Sequence, residues 1–278
     1  MFSILIPSWN NLPFLRMCVE SIRKNSAFNH QIIIHINEGS DGTLEWVKAN
    51  SIEHSFTQRN HGICVAVNEA SKLAKQNYIV YMNDDMYALP QWDKILLEEI
   101  QNLSTDCFML SSTLIEPLYS GNDCAIDVDY GKTIADFQEQ KLLSEFSSLN
   151  KEDWSGSTWP PTIVHKKWWE KVGGYSEEFS PGMSSDDDFA MKMWTNGCRI
   201  FKGVGRSRIY HFMSKSTMRV ERNDGRKQFL RKWGIKQSLL HKYYTRRGEP
   251  FRGELTDPKP TPDFLFSKLV SSVQRLYW

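Results

Sequence analysis

Through the first hundred residues, short β-branched apolar runs alternate with segments whose apolar residues recur every three or four positions. Few folds accommodate that alternation. Phe2–Ile6 is a compact apolar run closed by Pro7, and Leu15, Cys18, Val19 and Ile22 follow at helical spacing, with Pro13 suited to a first helical turn. Gln31–Ile36 is a second strand pattern, ended by the turn residues Glu38-Gly39-Ser40-Asp41-Gly42, after which Leu44, Trp46 and Val47 predict a short helix. Ile63, Ala66, Val67, Ala70 and Ala74 make a longer helical stripe, and Tyr78–Met82 is a third strand that runs directly into Asn83-Asp84-Asp85. Strands joined by helix-length crossovers pair side by side in parallel, so the expected class is α/β, a mostly parallel sheet flanked by helices.

Beyond Ser104 the alternation weakens. Cys107–Leu110 reads as a strand and Ile134–Leu149 as a helix, within an otherwise polar, loop-like stretch that extends to Pro161 and is suited to shaping a substrate site. Thr162–Val164 returns to strand character, Lys166–Val172 and Asp187–Asn196 to helix, and Arg199–Val204 and Ser207–Phe212 predict two further strands. The chain starts in a strand, with no basic segment or small-residue cleavage site ahead of it, and no apolar run approaches bilayer-spanning length, so a cytoplasmic protein without a signal peptide is expected. Five scattered cysteines without a C-x-x-C pair fit reduced, packed thiols better than disulfides or a zinc site.

A formal net charge of +1 conceals an asymmetry: residues 199–254 carry sixteen Lys/Arg against four Asp/Glu, whereas residues 1–198 carry fifteen against twenty-seven. The acidic part is where the chemistry concentrates. Asp84 and Asp85 stand at the carboxyl end of a strand, where open α/β sheets bind ligands, and adjacent acids there need a cation or donors to offset them. Hard divalent ions take such oxygens, although Asn-Asp-Asp is also ordinary turn chemistry. Ser185-Asp186-Asp187-Asp188 opens a helix; one acid suffices to cap it, and a further carboxylate could serve as a general base. His211, followed by Ser214, Lys215 and Ser216, is a candidate ligand whose alternative is a structural role.

The order of these segments resembles glycosyltransferase family 2, the inverting family with the GT-A fold. Ser3-Ile4-Leu5-Ile6-Pro7-Ser8-Trp9-Asn10 resembles its opening strand and loop, and Asn37-Glu38-Gly39-Ser40-Asp41-Gly42-Thr43 its Asp-x-Gly-Ser-x-Asp-Gly-Thr segment. Arg59-Asn60-His61-Gly62 with Ala66 and Asn68, Asn83-Asp84-Asp85 at the Asp-x-Asp position, Trp168 through Tyr175, Asp186-Asp187-Asp188-Phe189 with Lys192 and Gly197, and His211 complete the series over residues 1–217. Three positions depart from the pattern: Asn37 stands where the family has a base-reading Asp, Asn83 replaces the first acid of Asp-x-Asp, and Ser185 replaces a Glu.

The resemblance implies a GT-A catalytic domain over 1–217 and a basic, mainly helical extension over 218–278. It implies a nucleotide-diphosphate sugar, a UDP-sugar first among candidates, bound by Pro7, Ser8, Trp9, Asn37, Glu38, Asn60, Gly62, Asn83 and Asp84. Asp85 and His211 would hold Mg²⁺ or Mn²⁺, Asp186 would be the general base with Asp187 the fallback, and Trp159 and Asp188 would meet the acceptor. Trp9 is expected to stack on base or ribose, its alternative being a core anchor. The acceptor would be a saccharide or a lipid-linked one in polysaccharide or glycoconjugate biosynthesis, with no nucleic-acid partner. Two other classes stay open. A nucleotidyltransferase would show a Gly-rich basic loop after the first strand, where this chain has Pro7-Ser8-Trp9-Asn10-Asn11; a non-catalytic binding module would keep the fold and use the acids as caps and turns. In the tail, Phe266, Leu269, Val270, Val273 and Tyr277 share one helical face which, with the basic 219–247 stretch, suits either an anionic membrane surface or packing on the domain or on a second subunit of a homodimer.

Overall fold

A computed structural model describes residues 1–213 and 223–277; Ser214, Lys215, Ser216 and the start of the basic 219–247 stretch lie outside the described residues. The chain runs β1 (Phe2–Trp9), α1 (Leu12–Asn25), β2 (Gln31–Asn37), α2 (Thr43–Ala49), β3 (Glu53–Thr57), α3 (Ile63–Ser71), β4 (Tyr78–Tyr81), β5 (Met86–Ala88) and α4 (Trp92–Asn102). It continues through β6 (Phe108–Glu116), β7 (Ile126–Asp127), α5 (Glu139–Glu145), β8 (Trp154–Ser155), β9 (Thr162–His165), α6 (Lys166–Val172), α7 (Ser185–Thr195) and β10 (Ile200–His211). Three helices follow: α8 (Gly225–Trp233), α9 (Gln237–Leu239, continued by a π-helical turn Leu240–Tyr244) and α10 (Pro262–Tyr277).

The main sheet has the order β3-β2-β1-β4-β9-β6-β10-β5. β1 pairs in parallel with β2 and β4, and β2 with β3. β9 is antiparallel to both β4 and β6, and β6 is parallel to β10. β4, β6 and β10 therefore point the same way as β1 and β2, and their carboxyl ends share one edge. That edge carries Trp9, Asn37, the Asn83–Asp85 turn, Glu116 and His211. The strand order reverses beside β1, which has β2 on one side and β4, reached later, on the other; such switch points open a crevice for ligands.

Helices cover both faces, which is why β1 is buried along nearly its whole length. One layer packs Leu15, Cys18, Val19 and Ile22 of α1 and Trp92 and Leu96 of α4 on the sheet. The other packs Val67 and Ala70 of α3, Trp169 of α6 and Phe189 of α7, and this same core takes in Phe229, Leu239 and Phe264 of the last three helices. All five cysteines are free and buried.

Three differences from the sequence expectation have plain causes. β3 and α4 are elements the pattern did not single out; β3 is an edge strand with polar residues facing out, so its apolar alternation is weak. β6 runs on from the expected Leu110 to Glu116 and is buried throughout, because its Ser111, Ser112 and Thr113 hydroxyls are hydrogen-bonded to Ser157, Ser207 and the Val204 carbonyl. The two strands expected after Arg199 are one, β10, with a register shift between Val204 and Arg208 at the residues that looked like a break.

Candidate active site

Two cavities open side by side at the carboxyl edge of the sheet. The first, about 320 Å³, is lined by Pro7, Ser8, Trp9, Asn37, Asn60, Gly62, Asn83, Asp84, Asp85 and His211, joined by Ile63, Pro181, Met183 and Met213. The second, about 410 Å³, is lined by Asn83, Glu116, Trp159, Asp186, Asp187 and His211 among others. Asn83 and His211 are common to both and form the wall between them.

In the first cavity, Asp84 ties the β1 end to the β4 end: Ser8 Oγ donates to its Oδ2 at 2.7 Å and Asn11 Nδ2 to its Oδ1 at 3.0 Å. Asn37 Oδ1 accepts from the His61 amide and from Thr57 Oγ1, each at 3.2 Å, so this residue braces the 59–62 loop as well as facing the cavity. Gly62 (φ +83°) has two reasons to be glycine, since a Cβ there would lie 2.5 Å from Pro181 Cα. Trp9 is half-buried and lines the cavity. Glu38 is corrected: it is exposed and outside the cavity lining, with Oε2 accepting the Trp9 indole N–H at 2.9 Å. It orients the ring from behind, because the turn at Glu38 (φ +68°) carries it past the strand end.

Asp85 Oδ1 lies 3.5 Å from His211 Nε2, and His211 Nδ1 lies 2.8 Å from Glu116 Oε1. Burial by itself would lower the imidazole pKa; the charges and hydrogen bonds of Asp85 and Glu116 outweigh it and push the pKa up to about 10. The donor set fits a divalent ion that displaces the imidazole's Nε2 proton, since only the neutral ring can be a ligand. Adjacent ligands of an octahedral Mg²⁺-like ion stand about 3 Å apart, near the Asp85–His211 separation. Glu116 on the far nitrogen supplies the carboxylate that commonly orients a metal-binding histidine. Among the described residues no cluster of three or more metal-ligating side chains occurs, so two protein ligands would leave the remaining positions to phosphate oxygens and water.

The second cavity is organised by the first turn of α7, whose three acids diverge as helical geometry requires. Asp186 faces the cavity, and Tyr175 Oη donates to its Oδ1 at 2.8 Å. Desolvation raises its pKa to about 7 against the lowering effect of the tyrosine. Tyr175 is buried and stacked on Phe189, and Asn68 of α3 exchanges hydrogen bonds of 2.8 and 2.9 Å with its main chain. Asp187 also reaches this cavity, with its oxygens accepting from His241 Nε2 at 2.8 Å and from Gln237 Nε2. Asp188 is corrected: two residues past Asp186 it points to the opposite side of the helix, fully buried, and accepts from Trp233 Nε1 and Lys232 Nζ of α8. It anchors the C-terminal helices and does not meet an acceptor. Trp159 lines the cavity, but its ring already stacks on Trp154 (5.1 Å, 8°) and carries the Arg247 guanidinium 4.2 Å from its centroid. That leaves it a support for Arg247 in place of the open sugar platform expected. Trp169 is core.

Sequence reasoning missed Glu116, Tyr175, Gln237, His241 and Arg247 as site residues. Glu116 carried one usable signal, an acid ending a strand; the others reach the site from elements whose docking is tertiary.

The architecture is the GT-A fold. It superimposes on Staphylococcus aureus TarS (residues 1–349) in complex with UDP with a TM-score of 0.60 at 17% identity, covering 86% of this chain and 65% of that one. It also superimposes on GalNAc-T7 with UDP, GalNAc and Mn²⁺, with a TM-score of 0.59 at 14% identity, covering 83% and 47%. In sequence, the chain is 21% identical over 237 residues to chondroitin synthase of Escherichia coli, covering 75% of this chain and 34% of that protein. It is 27% identical over 109 residues to the uncharacterized glycosyltransferase EpsJ of Bacillus subtilis (strain 168), covering 37% and 31%. This chain thus spans about a third of the length of the curated relatives it matches. Residues 3–119 match the family described as Glycosyl transferase family 2.

Proposed function

We propose that the protein transfers a sugar from a nucleotide-diphosphate sugar to an acceptor hydroxyl with inversion at the anomeric carbon. One observation carries this reading: a cavity bearing a metal-compatible Asp85–His211 pair and a cavity bearing Asp186 meet at a common wall. A UDP-sugar is the donor of choice, supported by the UDP held by the solved neighbours. Asp85 and His211 would hold Mg²⁺ or Mn²⁺, which supplies a positive charge to the leaving diphosphate. Trp9, Asn37 and Asn60 line the same cavity and would take the nucleoside. Asp186 accepts the acceptor hydroxyl proton as the new C–O bond forms and the bond to the diphosphate breaks, with the negative charge departing on the diphosphate. Approach from the second cavity, across the wall from the diphosphate, is the direction that inverts the centre.

Residues 218–278 act, on this reading, as an extension that completes the acceptor wall through Gln237 and Arg247 and presents α10 to a membrane surface, as a lipid-linked acceptor would favour. Nucleoside diphosphate release from a panel of UDP-sugars, with Mn²⁺ or Mg²⁺ and candidate acceptors, tests the reaction. Turnover that needs the metal and falls at least about a hundredfold in Asp186→Asn is expected; nucleotide binding without turnover on any donor would instead identify a binding module.

A further inference from the structure

The charges of the second cavity are committed with one exception. Glu116 holds His211 through Oε1 and accepts Ser120 Oγ through Oε2 at 2.9 Å. Asp187 is engaged by Gln237 and His241, and Asp186 by Tyr175. Arg247 lines the same cavity. Its Nη2 donates at 3.2 Å to Asn122 Oδ1, a neutral amide, and it makes no ion pair among the described residues.

The guanidinium is also held in place. Its central carbon lies 4.2 Å over the Trp159 ring centroid, and Trp159 is itself backed by Trp154, a placement that leaves guanidinium N–H groups for bonding. Main-chain bonds fix the segment that bears it: Gly248 N to Ser155 O at 3.0 Å, Ser155 N to Glu249 O at 2.8 Å, and Arg247 N to His241 O at 2.8 Å. Gly156 (φ +95°) permits the contact, since a Cβ there would lie 2.5 Å from Arg247 Cα. A planar cation, pre-oriented on an aromatic support without a counter-charge, matches a planar or tetrahedral oxyanion through paired hydrogen bonds.

We infer that Arg247 selects an anionic acceptor: a saccharide or polyol carrying a carboxylate or a phosphate within reach of the hydroxyl that is glycosylated. This deepens the transfer reading and rests on its assignment of the second cavity to the acceptor.

The test is direct binding, read by titration calorimetry on the full chain with UDP and Mn²⁺ present. Three acceptor fragments are compared: a neutral methyl glycoside, the corresponding hexuronate, and a glycerol or ribitol phosphate. Preference of at least about tenfold for one anionic fragment over the neutral one is expected, and whether carboxylate or phosphate gives it identifies the source of the charge. In Arg247→Gln that preference should vanish, and in Arg247→Lys, which keeps the charge without the planar fork, it should fall but persist. Equal binding of neutral and anionic fragments by the native chain, or a preference that survives in Arg247→Gln, overturns the inference. The preceding UDP titration is a separate readout: failure of UDP to bind overturns the donor assignment, whereas anion preference stands or falls on the fragments.

Discussion

Asp186 shows how surroundings change the chemistry of a single carboxylate. An aspartate at a helix start is ordinarily ionised and stabilised there; here desolvation in the cavity wall lifts its pKa to about 7, and only Tyr175 opposes the rise. As the proposed base, Asp186 would be active when ionised, so turnover should climb with pH through about 7. The linkage to stability has the opposite sign. Between the ordinary aspartate pKa and 7 the folded state holds a proton that the unfolded state has lost, so this group's contribution to stability diminishes as pH rises across that window. Tyr175→Phe removes a donor to the carboxylate, so the acid limb of the pH–rate profile should move upward by about one pH unit with little change in UDP affinity. An unmoved limb would mean that Tyr175 merely packs. Asp186 and Asp187 were legible as candidates in the sequence because three acids exceed the needs of a cap. Tyr175 was legible only as part of a phrase, since nothing in a sequence says which hydroxyl a buried ring aims at which acid.

Among elements, α7 and α8 show why the last third of the chain is part of the site. Asp188 leaves α7 on the side away from the cavity and meets Trp233 and Lys232, while Asp187, one residue earlier, meets His241 and Gln237. The three acids of the cluster are thus a proposed base, a bridge and an anchor, separated by the 100° step of the helix. Lys232 keeps Glu178 at 2.9 Å as a second partner, which moderates the loss of its first. Asp188→Ala should therefore lower stability by about 2–3 kcal/mol in urea unfolding, with the folded fraction still binding UDP. The strand elements were more transparent: apolar runs of four to eight residues ending in Pro7, Asn37 and Asn83 gave the parallel half of the sheet, whereas β6 was cut short because its buried hydroxyls look like loop residues until their partners are seen.

For the molecule as a whole, the acidic sheet edge and the basic C-terminal segment are complementary, and the helices of the latter enter the core around α3, α6 and α7. α10 docks by Phe264 and Ser271 and leaves Leu265, Phe266, Leu269, Val273, Leu276 and Tyr277 exposed on its other side. No helix among the described residues is long and apolar enough to cross a membrane. An exposed apolar stripe flanked by Lys268 and Arg275 is instead suited to lying at a lipid interface. The chain should co-sediment with vesicles containing anionic lipid, less so at high salt, and lose that association in Leu269→Glu/Val273→Glu. A dimer that dissociates in the same variant, measured by sedimentation velocity without vesicles, would assign the stripe to a second copy.

The sequence by itself determined the alternation that makes a covered parallel sheet and the placing of Asp84 and Asp85 at a strand's end, because hydrophobic period and turn chemistry are local properties. The order of its signature segments likewise carried the resemblance to glycosyltransferase family 2, whose model matches residues 3–119. Only the tertiary structure decided that Glu116 stands behind His211, that Asp188 turns inward and Glu38 outward, and that Arg247 rests on Trp159. Those are contacts between residues distant along the chain, set by strand order and helix docking, and short-range patterns carry no information about them.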